Sequence, residues 1–392
     1  MKPLRRYLDK IKPSFEKGGK LQMFHSAFDA ISTLLFVPNA VTRKGAHVRD
    51  SSDLKRTMII VIMALAPAML FGMWNTGNQH AIAFGIEDRT HFENFWFGFL
   101  QIFPIIVVSY VVGLGIEFAV AQIRKHEVAE GFLVSGLIIP LVMPVGVPLW
   151  MVAVATAFAV IFAKEIFGGT GMNIWNPALI ARAFLFFAYP TKMSGDYVWV
   201  SGINEESVKL LDGFSGATPL AEAAAGHDIT ASMSEMFFGL IPGSIGETST
   251  LAILIGAAVL LYAGIASFRV MFSVFVGGAI MGLLFNWVGA NGDNEYMKLP
   301  FYFHFVTGGF AFGAVFMATD PVTGSRTATG KWIYGLLIGM FAVLIRVLNP
   351  GYPEGMMLAI LLMNTFAPLI DFYVVNANIK RRLKRVDVKK DV

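Results

Sequence analysis

Ten apolar runs divide this chain, at approximately 57–74, 96–120, 131–145, 147–163, 177–189, 249–267, 269–289, 301–318, 332–348 and 355–375. A helix needs roughly 20 apolar residues to cross a bilayer, and the runs are weighed against that length. The expected fold class is all-α and polytopic, with about ten transmembrane helices. The third, fourth and fifth runs are short and have Pro140, Pro144, Pro148 and Pro177 near their ends. Short, proline-bounded apolar segments read as broken or tilted helices around a buried site.

Composition points the same way: 55% apolar and 15% charged residues over 392 positions lie far from the water-soluble average. No cationic stretch followed by an apolar run ends in a small-residue cleavage site, so no cleaved signal peptide is expected. Cysteine is absent, which excludes disulfides, thiolate-held iron–sulfur clusters and a cysteine nucleophile. Of seven histidines only His304 lies clearly within an apolar run, which gives no support to a bis-histidine haem, and no phosphate-loop or zinc motif occurs.

Much of the +4 formal charge sits at the two ends, which makes it a topology signal. The basic N-terminal stretch, with Arg43, Lys44, Arg49, Lys55 and Arg56, and the tail from Lys380 to Arg385 are both expected in the cytoplasm. That requires an even number of spans. The resulting partition is a cytoplasmic segment 1–56, transmembrane helices 1–5 over 57–189 and an extracytoplasmic loop over 190–248. Transmembrane helices 6–10 follow over 249–375, then a basic cytoplasmic tail over 376–392. Within the first segment, residues 21–37 mix apolar and polar types and read as an amphipathic helix. It would lie on the membrane face, against a partner, or on its own protein.

Two polar loops stand out. Asp212-Gly213-Phe214-Ser215-Gly216-Ala217-Thr218-Pro219 lies in the longest polar interruption and is, by composition, turn chemistry. Gly168-Gly169-Thr170-Gly171-Met172-Asn173-Ile174-Trp175-Asn176-Pro177 feeds a helix start. Asn173 and Asn176 would share a face if the turn is helical, and could then hydrogen-bond an acceptor-rich ring. Alternatively Asn176 caps a helix that begins at Pro177. A faint echo of this loop, flanked by apolar runs, recurs at Thr319-Asp320-Pro321-Val322-Thr323-Gly324.

Carboxylates inside apolar runs are expensive unless paired or used, and Glu117 and Asp371 are the two candidates near the inner ends of their runs. Phe184 and Phe186 on the fifth run are either packing or part of a constriction that excludes water.

Taken together, DGFSGATP, the run from GGTGMNIWNPAL to RAFLFFAYP and the ten-run layout resemble the B-type membrane subunits of sodium-translocating NADH:quinone oxidoreductases across nearly the whole chain. The Rnf complexes have a related membrane subunit. The resemblance implies FMN held through a phosphoester on Thr218, within a motif formed by Asp212, Gly213, Ser215, Gly216 and Ala217. It implies non-covalent riboflavin at Asn173 and Asn176, and a sodium path touching Glu117, Asp371, Phe184 and Phe186. It further implies electron transfer from NADH towards ubiquinone or menaquinone, with Na⁺ moved outward across a bacterial cytoplasmic (inner) membrane. The implied partners are the A-, C-, D-, E- and F-type subunits, a flavin transferase and membrane lipid. The implied bundle is similar to that of urea transporters. The stretch 203–211 looks like an insertion relative to the family's loop. Three other readings stay open at this point. They are an Rnf subunit working between ferredoxin and NAD, a flavin-free channel of the urea-transporter kind, and a purely structural membrane subunit.

Overall fold

The computed structural model describes residues 2–15, 54–124, 131–202, 215–290, 294–349 and 351–390, with isolated positions between 19 and 45. The expected amphipathic helix over 21–37, the stretch 203–211, and Asp212 and Gly213 lie outside the described residues. The principal helices are α1 (Lys2–Phe15), α2 (Leu54–Phe84), α3 (His91–Arg124), α4 (Phe132–Leu141), α5 (Leu149–Phe158) and α6 (Pro177–Ala188). They continue with α7 (Pro219–Ala225), α8 (Met233–Phe238), α9 (Thr250–Tyr262), α10 (Phe268–Gly289), α11 (Phe303–Val306), α12 (Phe310–Phe312), α13 (Ala328–Leu348) and α14 (Met356–Lys390). No strand occurs among the described residues.

Five helices, α2, α3, α10, α13 and α14, are long and apolar enough to cross a membrane. The chain is thus a multi-pass helical membrane protein. The other apolar runs form shorter pieces. α5 continues through a π-helical turn, Ala159–Glu165, and α12 through another, Gly313–Met317.

Prolines and caps set these breaks. Proline carries no N–H and clashes with the preceding turn, and α4 ends beside Pro140 while α5 starts directly after Pro148. The connecting backbone, with Val142, Met143, Val145 and Val147 buried, is irregular. Irregular backbone at membrane depth survives only inside protein. Here Gly246 N–H donates to Leu141 O at 2.7 Å, Ile245 N–H to Met143 O at 3.2 Å and Gly146 N–H to Val198 O at 3.1 Å. Side-chain caps start the helices that follow loops: Ser249 accepts from Ala252 N–H ahead of α9, and Thr327 from Gly330 N–H ahead of α13.

Long helices approach through small residues, as in membrane interiors generally. A Cβ built on Gly339 of α13 would sit 2.0 Å from Val274 O of α10, and one on Gly98 of α3 would sit 1.7 Å from Met73 O of α2. No alanine fits at either contact without backbone movement.

Candidate functional site

Two cavities occupy opposite ends of the bundle. The first, with about 690 Å³ of empty space, is bordered by Thr218, Arg182, Phe186, Glu247, Tyr352 and Glu354. The second, with about 860 Å³, is bordered by Lys164, Thr170, Asn173, Asn176, Thr319 and Asp320. We call them the threonine and asparagine cavities. Both lie in the range of small-molecule sites, about 300–1,000 Å³.

Several elements run from one cavity to the other. α6 begins at the asparagine cavity with Pro177 and reaches the threonine cavity with Arg182 and Phe186. α9 runs the other way, from Thr248 just before it to Leu260. Gly308 and Phe316, at either end of the α12 segment, also touch one cavity each. At 1.5 Å per residue, Asn176 and Phe186 are separated by about 15 Å along α6.

Thr218 is half-buried and caps α7, its hydroxyl accepting from Ala221 N–H at 3.2 Å. Ahead of it, Ser215 Oγ accepts from Ala217 N–H at 3.3 Å, and Gly216 is buried. Beneath Thr218 lies a buried ionic cluster. The Arg182 guanidinium donates to Glu247 at 3.0 Å, to Ser244 Oγ at 3.2 Å, to Glu354 and to the Val142 carbonyl. An arginine inside an apolar helix must be paired, and Glu247 and Glu354 pair it here. Arg346, fully buried, donates to the carbonyls of Glu354, His304 and Thr307 at 2.7–3.0 Å. Glu247 Oε1, Glu354 Oε2 and the Tyr352 hydroxyl have no hydrogen-bond partner among the described residues. Burial pushes the Glu247 carboxyl up to about 7, against the pull of the Arg182 charge. The unspent atoms are chiefly acceptors, so this floor suits a ligand that brings N–H or O–H donors.

In the asparagine cavity the 168–176 loop is bent, not helical. Asn176 takes the capping alternative, accepting from Ala178 N–H at 2.9 Å ahead of Pro177. Asn173 donates to the Trp175 carbonyl at 3.1 Å. Both still border the same cavity, although the helical-face argument does not apply to them. The echo loop joins them: Asp320 accepts from Asn176 at 3.4 Å, from Thr323 at 3.0 Å and from Val322 N–H at 3.0 Å. Burial raises the Asp320 carboxyl above its ordinary range, and these hydrogen bonds oppose the rise. Each of the two similar loops follows one of the π-helical turns, and they meet across one cavity. Thr170 Oγ1 is buried without a partner among the described residues.

The other sequence-expected positions separate. Glu117 is buried in an ion pair with Lys164, and through that lysine adjoins the asparagine cavity. Asp371 accepts from Ser325 Oγ, Arg326 N–H, Thr327 N–H and Thr327 Oγ1 at 2.6–3.0 Å, which makes it the anchor of the loop that starts α13. No contact joins it to Glu117 among the described residues. Phe186 borders the threonine cavity and packs edge-on against Tyr352. Phe184 stacks on Phe158, with ring centroids 4.5 Å apart, and borders neither cavity. The two rings therefore do not form one constriction. The sequence reading overlooked the roles of Arg182, Glu247 and Glu354. The signal was present in Arg182, an isolated cation in an apolar run whose compensating acids had to be found elsewhere.

These features define a polytopic helical membrane protein with an internal polar cavity at each end of one short, buried helix. The family model described as the NQR2, RnfD, RnfE family matches residues 41–380. The chain is 49% identical over 411 aligned residues to the B subunit of the Na(+)-translocating NADH-quinone reductase of Ectopseudomonas mendocina, covering 97% of this chain and 99% of that protein. It is 48% identical to the protein of the same name from Azotobacter vinelandii, with the same coverage, and 46% identical to that of Pseudoalteromonas atlantica, over 98% and 99%. The chain belongs to the NQR2, RnfD, RnfE family.

Proposed function

We propose that this chain is the B-type membrane subunit of a sodium-translocating NADH:quinone oxidoreductase in a bacterial inner membrane. In this reading it carries FMN through a phosphoester on Thr218 and riboflavin in the asparagine cavity. The observation that carries the reading is the pairing of motif with cavity. Thr218 and the Asn173/Asn176 pair each border one of two cavities, and α6 joins the two over about 15 Å. Similarity to the B subunits extends along almost the whole of both chains, which favours the quinone-reducing complex over the Rnf complex.

The residues present fit the groups proposed. A flavin ring offers an N–H flanked by two carbonyls. Glu247 Oε1, Glu354 Oε2 and the Tyr352 hydroxyl are unspent in the first cavity, and Thr170 Oγ1 in the second. Bound flavin supplies the electron chemistry, and the protein supplies position and surrounding charge. Thr218 would hold the tether, with its small neighbours Gly216 and Ala217 leaving the hydroxyl open to a flavin transferase. Arg182, fixed by Glu247 and Glu354, holds a charged floor that cannot relax away. Asn173, Asn176 and Asp320 orient a polar ring in the second cavity, and the Lys164–Glu117 pair keeps a compensated charge beside it.

The topology follows from the same reading, with ten spans and both termini cytoplasmic. The asparagine cavity then faces inward, towards quinone, and the threonine cavity outward, towards a flavin-bearing domain of the C-type subunit. Sodium moves outward along a route that includes Glu117 and Asp371. The A-, D-, E- and F-type subunits complete the assembly.

The test is in-gel flavin fluorescence of the denatured subunit, produced with the flavin transferase, for the wild type beside Thr218→Leu. The expected result is a fluorescent wild-type band and a dark variant. A dark wild-type band, with the transferase active on another substrate, overturns the reading and leaves the motif as a turn.

A further inference from the structure

α14 is 35 residues long, well beyond the roughly 20 a bilayer needs. Its contacts fix the point at which it leaves the protein. Asp371, the sixteenth residue of the helix, holds the loop at Ser325, Arg326 and Thr327, immediately before α13. α13 is itself a 21-residue membrane-crossing helix, so Asp371 lies level with one edge of the hydrocarbon. Beyond it the helix continues through Lys390 with no proline or glycine to bend it. Every residue from 377 to 385 is exposed.

That projecting end has two faces. Phe372, Val375, Ile379 and Leu383 follow one another at three- and four-residue intervals and form an apolar stripe, with exposures of 45–59%. Lys380, Arg381, Arg382, Lys384 and Arg385 occupy its flanks and back. A basic amphipathic helix ordinarily reads as membrane-surface binding. Here geometry opposes that. Leu383 stands twelve residues beyond Asp371, about 18 Å along the axis. The headgroup layer on each side of the hydrocarbon is about 6 Å thick, and an average tilt of about 20° shortens the rise little. The stripe leaves the lipid behind. The chain's own α1 is a poor occupant as well, because Lys2, Arg5, Arg6, Lys10 and Lys12 face only Asp9 in sign. Like charge opposes that pairing.

We propose that residues 375–385 of α14 are a docking helix for a water-exposed, acidic-rimmed apolar groove on another protein of the complex. The stripe is the anchor in helix-in-groove fashion, and the five cations select and steer the partner. The inference rests on the reading of the chain as one member of a larger assembly.

The experiment uses the full chain within its co-expressed, affinity-purified complex, with the photo-crosslinker p-benzoylphenylalanine placed at Ile379, Leu383 or, on the opposite face, Lys384. Irradiation of the Ile379 and Leu383 versions is expected to give a defined crosslink to an Asp/Glu-rich segment of another protein of the complex, at least fivefold stronger than from Lys384. Adding K380E, R381E and R382E together is expected to lower that crosslink at least tenfold, while the particle stays monodisperse. Three results overturn the proposal with other subunits still co-purified: crosslinks only to lipid or to this chain's residues 1–53, no crosslink from either stripe position, or a crosslink indifferent to charge reversal. If the full chain is purified with no other protein bound, the assembly reading fails first and the docking helix with it.

Discussion

The two cavities are of similar size but solve different problems. The threonine cavity is ionic: Arg182 is clamped between Glu247 and Glu354, with Arg346 behind them. The asparagine cavity works with amides and hydroxyls, and its one cation, Lys164, is compensated by Glu117. A ligand tethered at Thr218 is already at high effective concentration, so its cavity is free to devote side chains to fixed charge. A ligand without a tether must be held by shape and hydrogen bonds, which is what Asn173, Asn176, Thr170 and Asp320 offer. The contrast teaches that the tether and the strength of polar recognition trade against each other along α6.

Breaking the ionic floor is expected to have the largest effect on stability. Arg182→Gln strands Glu247 and Glu354 in the interior, and breaking a buried pair from one side costs about 3–5 kcal/mol. Thermal unfolding in detergent should show the loss, and adding Glu247→Gln and Glu354→Gln should recover part of it. Riboflavin content per folded molecule should hold, because the asparagine cavity is untouched. A parallel loss of riboflavin would mean the cavities are not separable.

Protonation sharpens the contrast next. The carboxyl of Glu247 is raised to about 7 from an ordinary 4.5. A group that binds its proton more tightly when folded contributes stability that is fully present below its unfolded value and lost as pH rises through the folded value. The stability of wild type relative to Glu247→Gln should therefore fall between about pH 5 and pH 8. A flat difference over that window would show that Arg182 holds the group ionised throughout.

In the other cavity, Asn176→Ala removes the α6 cap, worth about 1 kcal/mol, and the bond to Asp320. Riboflavin should be lost on gel filtration while FMN fluorescence on Thr218 stays. Asn176→Asp, which keeps the cap, should restore the stability but not the flavin. The smallest effects are expected at the acids. Glu117→Gln and Asp371→Asn should each weaken the sodium dependence of turnover by a few fold, with flavin content intact. An unchanged sodium titration in both would remove them from the ion path and leave Asp371 as a loop anchor alone.

The apolar runs were legible because hydropathy and proline placement act locally: α4, α5 and α6 end or begin where Pro140, Pro148 and Pro177 require. The cap at Asn176 was legible for the same reason. The ionic floor was not, because its members come from positions 182, 247 and 354, and no local pattern ties them together. The meeting of the two echo loops was equally hidden. Their similarity shows in sequence, but only packing reveals that Asp320 reaches Asn176. Phe184 and Phe186 illustrate a further limit, since residues two apart on a helix face different ways whatever their shared chemistry.

The π-helical turns at Ala159–Glu165 and Gly313–Met317 carry a consequence for how this gene can vary. Such a turn holds one more residue than the α-helix around it would, and occurs often at functional sites. Deleting one residue from either would let the segment relax to ordinary helix and rotate all that follows by about 100°. Lys164 would swing away from Glu117 in the first case, and Asp320 from Asn176 in the second. Chain length is therefore locked to the residue through both segments, and single-codon deletions there should be far less tolerated than in exposed stretches such as 226–231.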